Sequence, residues 1–191
     1  MNKKIKNFAL FLLAAIVVAT TASCKFFSPP KEVKTFRTLP AEIAVPAGEV
    51  PVVPLGKITF PEYLYNQQIA ERGSDGKITL DERNLWAEPL SSTIKRTLPL
   101  QIAAHVKKNS PDAKIKDSVS IAIMRLDGVL GGDVEIVAYV EIFREGKSGN
   151  EHAFYFQQSI PTQGSGIDAY INAVARAVDA LAAATAEKIS D

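Results

Sequence analysis

Apolar positions toward the C-terminus recur at helical spacing. Ile167, Ile171, Val174, Val178, Leu181, Thr185 and Ile189 advance in steps of three or four residues. Ala173, Ala175, Ala177, Ala180, Ala182, Ala183 and Ala184 fill much of the space between them, so the segment combines the strongest helix former with a continuous apolar stripe. A long helix packed closely along a sheet face is expected there. Upstream the period changes to two. Val119, Ile121 and Ile123 alternate with Ser118, Ser120 and Ala122; Val134, Ile136, Ala138, Val140 and Ile142 make a second apolar face; Phe154, Phe156, Gln158 and Ile160 come next. Gly131-Gly132-Asp133 and residues 146–150 read as the turns of a three-strand meander. Val137, Tyr139 and Phe143 share the opposite face with Glu135 and Glu141, so both sides of the middle strand are expected to be partly covered.

The first half of the chain is more broken. Pro40, Pro46, Pro51 and Pro54 exclude a helix between Leu39 and Leu55, and Val50, Val52, Val53 and Leu55 suggest an interrupted edge strand. Pro61 fits the start of one helical turn through Leu64. Gln67–Glu71 and Lys77–Leu80 flank Gly73-Ser74-Asp75-Gly76 as a hairpin, and Asp81–Asn84 suits a cap for the next helix. Leu90, Ile94, Leu98, Ile102 and Val106 predict that helix, opened by Pro89, and Pro99 should kink or split it. The order is therefore strand, hairpin, helix, three strands, helix. It predicts a single α/β domain with a mixed, mostly antiparallel sheet and two long helices, a two-layer α+β arrangement being the alternative.

The N-terminus carries a different signal. Lys3, Lys4 and Lys6 precede twelve apolar residues, Phe8 to Ala19, and then Thr21-Ala22-Ser23-Cys24. The apolar run is too short to span about 30 Å of hydrocarbon, but it fits a signal-peptide core. Cys24 is the only cysteine, so no intramolecular disulfide can form, and its position marks it as the lipidated first residue of the processed chain. Residues 1–23 would be a lipoprotein signal peptide, 24–32 a lipidated cysteine and tether stiffened by Pro29-Pro30, and 33–191 the folded domain. Two or three acyl chains make a stable membrane anchor. Phe26 and Phe27, beside the lipid, belong at the membrane interface.

Removing residues 1–23 leaves 19 Lys+Arg against 21 Asp+Glu, a formal charge of −2. That balance, without a basic stripe, gives no reason to expect a nucleic-acid partner. The 168 remaining residues suffice for one well-buried core. Catalytic signals are sparse. His105 and His152 have no Cys, His or carboxylate at metal-ligand spacing. Gly164-Ser165-Gly166 lacks the outer glycine of a nucleophile elbow and reads as a helix start with Ser165 as cap. Asp75-Gly76 and Asp133 lack the other acids of a calcium loop, and Asp81-Glu82 reads as helix-start charge. No Walker or dinucleotide glycine pattern occurs, so the sequence indicates no enzyme and no cofactor.

Residues 58–90 go further: ITFPEYLYNQQIAERGSDGKITLDERNLWAEPL. Pro61, Tyr63, Leu64, Gln68, Ile69, Arg72, Trp86, Ala87, Glu88, Pro89 and Leu90 match a pattern that resembles the ABC-type transport auxiliary lipoproteins, the PqiC-like family. Tyr65-Asn66-Gln67 and Leu85 depart from that pattern, which usually has Asp-Arg-Pro and an arginine there. The resemblance implies an anticodon-binding-like fold and a non-catalytic periplasmic component of a lipid transport system. Its partners would be an MCE-domain protein with its ABC permease and ATPase, the membrane through the lipid anchor, and phospholipid; self-assembly into a homo-oligomer is a further expectation. Lys25 follows the cysteine in place of the aspartate that commonly retains lipoproteins on the inner membrane, so the outer membrane is the expected site. Tyr63, Leu64, Arg72, Trp86, Glu88 and Pro89 are candidates for interface contact or fold support, with Arg72 expected to bridge a carboxylate such as Glu88.

Overall fold

In the computed structural model, residues 33–40, 52–145 and 152–190 are described. Cys24, the tether, most of the proline-rich segment and the 146–150 turn lie outside the described residues. Residues 34–191 form one compact unit. Its strands are β1 (Thr35–Arg37), β2 (Leu55–Thr59), β3 (Gln68–Arg72), β4 (Ile78–Trp86), β5 (Ser118–Gly128), β6 (Asp133–Phe143) and β7 (His152–Pro161). The two long helices are α1 (Leu90–Asn109) and α2 (Ile167–Ser190), and a 3-10 turn spans Glu62–Tyr65. This is the expected mixed α/β domain with two long helices, but its strands divide between two sheets, β1-β4-β3 and β2-β5-β6-β7.

The meander and the last helix follow their sequence periods closely. Val134, Ile136, Ala138, Val140 and Ile142 are each fully buried, and β5–β6 and β6–β7 pair antiparallel along nearly their whole length. Helix α2 lies across β5, β6 and β7, with Ala173, Ala177, Ala182 and Ala186 fully buried. Small side chains let its axis approach the sheet, while Val178 and Leu181 fill the space between. Helix α1 packs on α2 and on the 3-10 turn, and His105 Nε2 meets Asp179 Oδ1 at 2.8 Å between the helices.

Three expectations are corrected. Among the described residues the edge strand begins later than the prolines suggested: Val53 is buried, the carbonyl of Pro54 accepts from the Val119 N–H (3.0 Å), and pairing runs from Leu55 with a register shift before Ile58. A proline can supply an acceptor to a ladder but no donor, so it stands just outside the strand. Of the kink or split expected at Pro99, the split does not occur: helix α1 runs continuously through it. Pro99 removes one donor, but Leu98, Ile102 and Ala103 around it are completely buried and hold the helix together. Finally, Asp81–Asn84 does not cap a helix and Asp81-Glu82 are not helix-start charges, because both lie inside β4. Ala70 pairs with Leu80 and Gln68 with Leu85, so residues 81–84 bulge out opposite one residue of β3. The Asp81 carboxylate accepts from the Arg83 (2.8 Å) and Asn84 (3.0 Å) N–H groups and from the Asn84 amide (2.7 Å). Burial raises its pKa, and these hydrogen bonds overcome that and hold it below the usual carboxylate value. The donor-satisfying geometry anticipated for a cap is present, but it serves a bulge.

Candidate functional site

The 58–90 segment meets the large sheet at one buried carboxylate. β2 ends at Thr59 and pairs only with residues 119–122 of β5, and beyond Ile123 a register shift changes how β5 pairs with β6. β3 borders β5 instead. Past the shift, Asp127 stands opposite Glu135 with no exposed side-chain surface.

Each family-pattern residue has a defined place around this junction. Pro61 starts the 3-10 turn, its carbonyl accepting from the Leu64 N–H at 3.1 Å, and the turn presents Tyr63. Tyr63 Oη donates to Asp127 Oδ2 (2.7 Å) and accepts from the Leu126 N–H (3.1 Å). Arg72, at the end of β3, donates from Nε to Asp127 Oδ1 (2.5 Å) and from Nη2 to Oδ2 (2.8 Å). Its Nη1 donates to the Gly76 carbonyl (2.9 Å), in a turn where Gly76 adopts φ +82°. The same guanidinium thus holds the hairpin turn and the junction. Arg125 Nε donates to Asp127 Oδ1 (3.0 Å), and Arg125 Nη1 pairs with Glu135. Close by, Tyr170 at the start of α2 donates to the Ala70 carbonyl of β3 (2.7 Å).

The electrostatics follow from this crowding of donors. Burial pushes the Asp127 carboxyl up, but the hydrogen bonds from Arg72, Tyr63 and Arg125 outweigh it and hold the group below the usual carboxylate range. Hydrogen bonding to Asp127 raises Arg72 further, and burial raises the phenols of Tyr63 and Tyr170. At neutral pH the junction is a charged carboxylate among two guanidinium groups and a neutral phenol. The lowered Asp127 carboxyl and the raised Arg72 and Tyr63 groups are all shifted away from neutrality, which suits a clamp.

The remaining pattern residues cluster at the start of α1. Trp86 is 4 % exposed and Leu64 3 %, and both belong to the core. The Trp86 N–H donates to the Gln67 carbonyl (2.6 Å) and the Ala87 N–H to the Arg37 carbonyl (2.8 Å), fastening the end of β4 on both sides. Pro89 leads directly into α1 without a side-chain cap. Glu88 pairs with Arg96, with Nη1 to Oε2 at 2.9 Å, and not with Arg72; the expected Arg72–Glu88 bridge is corrected, since Asp127 takes Arg72. Hydrogen bonding to Arg96 holds the Glu88 carboxyl below its usual value. A cavity of about 120 Å³ lies between these residues and Arg37, Leu39 and Thr97. A second, open depression of about 200 Å³ lies on the outer sheet face, between Lys57, Ser120, Tyr139 and Glu141. Among the described residues, no group of three or more His, Cys, Asp or Glu side chains could hold a metal ion, and no helix is long and apolar enough to cross a membrane.

Sequence reasoning missed Asp127 and Arg125, the centre of the junction. The available signal was the break in alternation after Ile123, where Arg125-Leu126-Asp127-Gly128 sets a charged residue on each side of an apolar one. The partners of Asp127 are 55 and 64 positions away, and spacing alone does not reveal such pairs.

Comparisons agree with this architecture. The family model for the ABC-type transport auxiliary lipoprotein component matches residues 37–186. Two curated relatives, the intermembrane transport lipoproteins PqiC of Escherichia coli (strain K12) and Shigella flexneri, are each 27 % identical over 82 residues. These matches take in 41 % of this chain and span only 44 % of the relatives' length. A crystal structure of an uncharacterized protein superposes with a TM-score of 0.67 at 20 % identity, covering 83 % of this chain and all of the other. A Xanthomonas campestris protein assigned to the family model DUF330 gives 0.59 at 14 % identity, covering 79 % and 92 %. Both share the fold. With Tyr63 and Arg72 of the family pattern meeting at Asp127 and the family model matching residues 37–186, the chain belongs to the ABC-type transport auxiliary lipoprotein components.

Proposed function

We infer that this chain is a non-catalytic, lipid-anchored component of an MCE/ABC-type lipid transport system. In this reading residues 1–23 are a signal peptide, Cys24 carries the lipid, residues 24–32 are the tether, and 33–191 are the domain. The protein sits at the periplasmic face of the outer membrane, helps link the transport assembly to it and so maintains envelope integrity. The observation that carries the reading is the family match over residues 37–186, which two signature residues, Tyr63 and Arg72, support by meeting at one clamp. Membership in a lipoprotein family also implies a membrane-anchored place in the envelope. A chain that links assemblies needs a rigid body more than a reactive centre, and the Asp127 junction is built for rigidity.

A stand-alone lipid carrier draws no support from the two cavities described above among the described residues. Ligand pockets typically enclose about 300–1,000 Å³. The cavity beside Trp86 and the depression beside Tyr139 are about 120 and 200 Å³, and the larger is open to solvent. The test is purification of the lipidated protein from membranes in mild detergent, followed by mass spectrometry of what accompanies it. Recovery of an MCE-domain protein with its permease and ATPase is expected. Recovery of the lipoprotein alone, with bound phospholipid, would overturn the transporter reading in favour of an independent binder.

A further inference from the structure

The chain enters its folded unit along an exposed apolar edge. Val33 is 81 % exposed and Phe36 59 %. Phe36 lies on β1, the short outer strand of the three-stranded sheet, in register with Leu85 of β4. A single open phenylalanine carries no message by itself. Its position and its charged neighbours do. Residues 25–37 hold Lys25, Lys31, Lys34 and Arg37 against Glu32, a net charge of +3. The rest of the processed chain, with 15 basic and 20 acidic residues, carries −5. Arg37 is engaged by Asp168 at 2.6 Å, whereas Lys34 is exposed beside Phe36. Val33 comes only nine positions after Cys24. The tether therefore allows the start of β1, eleven positions after Cys24, to stand at most about 40 Å from the acyl chains.

We propose that Lys34 and Phe36 form a membrane-contact face, with Phe36 entering the headgroup region and Lys34 meeting the phosphates of anionic phospholipids. The inference rests on lipidation at Cys24. A basic and aromatic segment next to a lipid anchor, on an otherwise acidic body, presents one surface that an anionic bilayer attracts and leaves the remainder repelled from it. The contact therefore turns the β1 edge to the bilayer, while the outer face of β6 and β7, where Tyr155 is 74 % exposed, belongs to a different sheet and lies outside the proposed contact.

The single cysteine makes this testable in the full lipidated protein. In Phe36→Cys and Tyr155→Cys variants, a thiol-reactive nitrobenzoxadiazole probe reports the polarity at each position after reconstitution into phosphatidylethanolamine vesicles containing phosphatidylglycerol. Both side chains are exposed, and an unchanged urea midpoint confirms that the variants fold. The expected result is a blue shift and a several-fold brighter emission at position 36, with water-like emission at 155. Adding Lys34→Glu should reduce the shift at 36. Water-like emission at 36, or equal shifts at both positions, would overturn the proposal. So would a shift in detergent alone that grows with protein concentration, which would assign the edge to a second copy. Labelling of the wild-type protein at Cys24 would show a free thiol and remove the lipidation reading along with the inference. A blocked Cys24 with a water-like probe at 36 would remove only the inference.

Discussion

The two sheets of this domain are held by different physics. The four-stranded sheet with α2 is fastened by hydrocarbon: β6 buries five consecutive inward side chains completely, and α2 covers them with alanine, valine and leucine. The β1-β4-β3 sheet is short and bulged; Ile69 and Trp86 bury into the core, and a few directed polar contacts around Asp127 are added to that attachment. Hydrophobic contacts are numerous and tolerant of exchange, whereas a clamp of this kind requires particular atoms at particular places. The residues that match the family pattern lie mainly in the second region. A family pattern concentrated there is what a polar clamp produces, because few substitutions preserve it.

The largest effect should come from breaking the clamp. Asp127→Ala leaves Arg72, Arg125 and Tyr63 without their shared acceptor and should cost about 3–5 kcal/mol in urea unfolding. Hydrogen exchange should then show the loss first in β3 and β4. The pH dependence sharpens this. Asp127 has a depressed carboxyl pKa, so its contribution is complete above the ordinary unfolded value and disappears as pH falls through the lower folded value. The stability gap between wild type and Asp127→Asn should therefore be constant near neutrality and should close in acid. A gap that persists in strong acid would mean that charge is not what Asp127 supplies.

Leu181→Ala attacks the other region. Leu181 is fully buried in α2, and its truncation should cost roughly 2–5 kcal/mol with protection lost across the meander instead of β3–β4. Tyr170→Phe is the smallest of these changes. It removes the bond to the Ala70 carbonyl while keeping the ring, and should cost about 1 kcal/mol by the same denaturation measurement.

The same division decides how much was legible in the sequence. Val134 to Ile142 and Ile167 to Ile189 announce their elements because burial repeats with the geometry of strand and helix. Legibility falls where geometry is set by distant partners. Asp81 looks like a cap because its side chain satisfies nearby N–H groups, and nothing local distinguishes a helix start from a strand bulge. Pro99 looks like a break because local propensity cannot register the burial of Leu98 and Ile102. Arg72 was recognisable as a residue in need of a carboxylate, but the choice of Asp127 over Glu88 depends on the register shift in β5. The cluster of Glu88, Pro89 and Trp86 is visible as a pattern, but the fastening of the end of β4 to Gln67 and Arg37 follows only from the backbone partners of Trp86 and Ala87.

The most direct test of the clamp is a double-mutant cycle of Arg72→Ala and Asp127→Ala, read by urea unfolding of the folded domain in its full chain. A coupling of about 1–3 kcal/mol is expected, the double variant being barely less stable than Asp127→Ala alone. Strict additivity of the two single effects would show that Arg72 and Asp127 act independently, and would contradict the view that they fasten the signature segment to the large sheet.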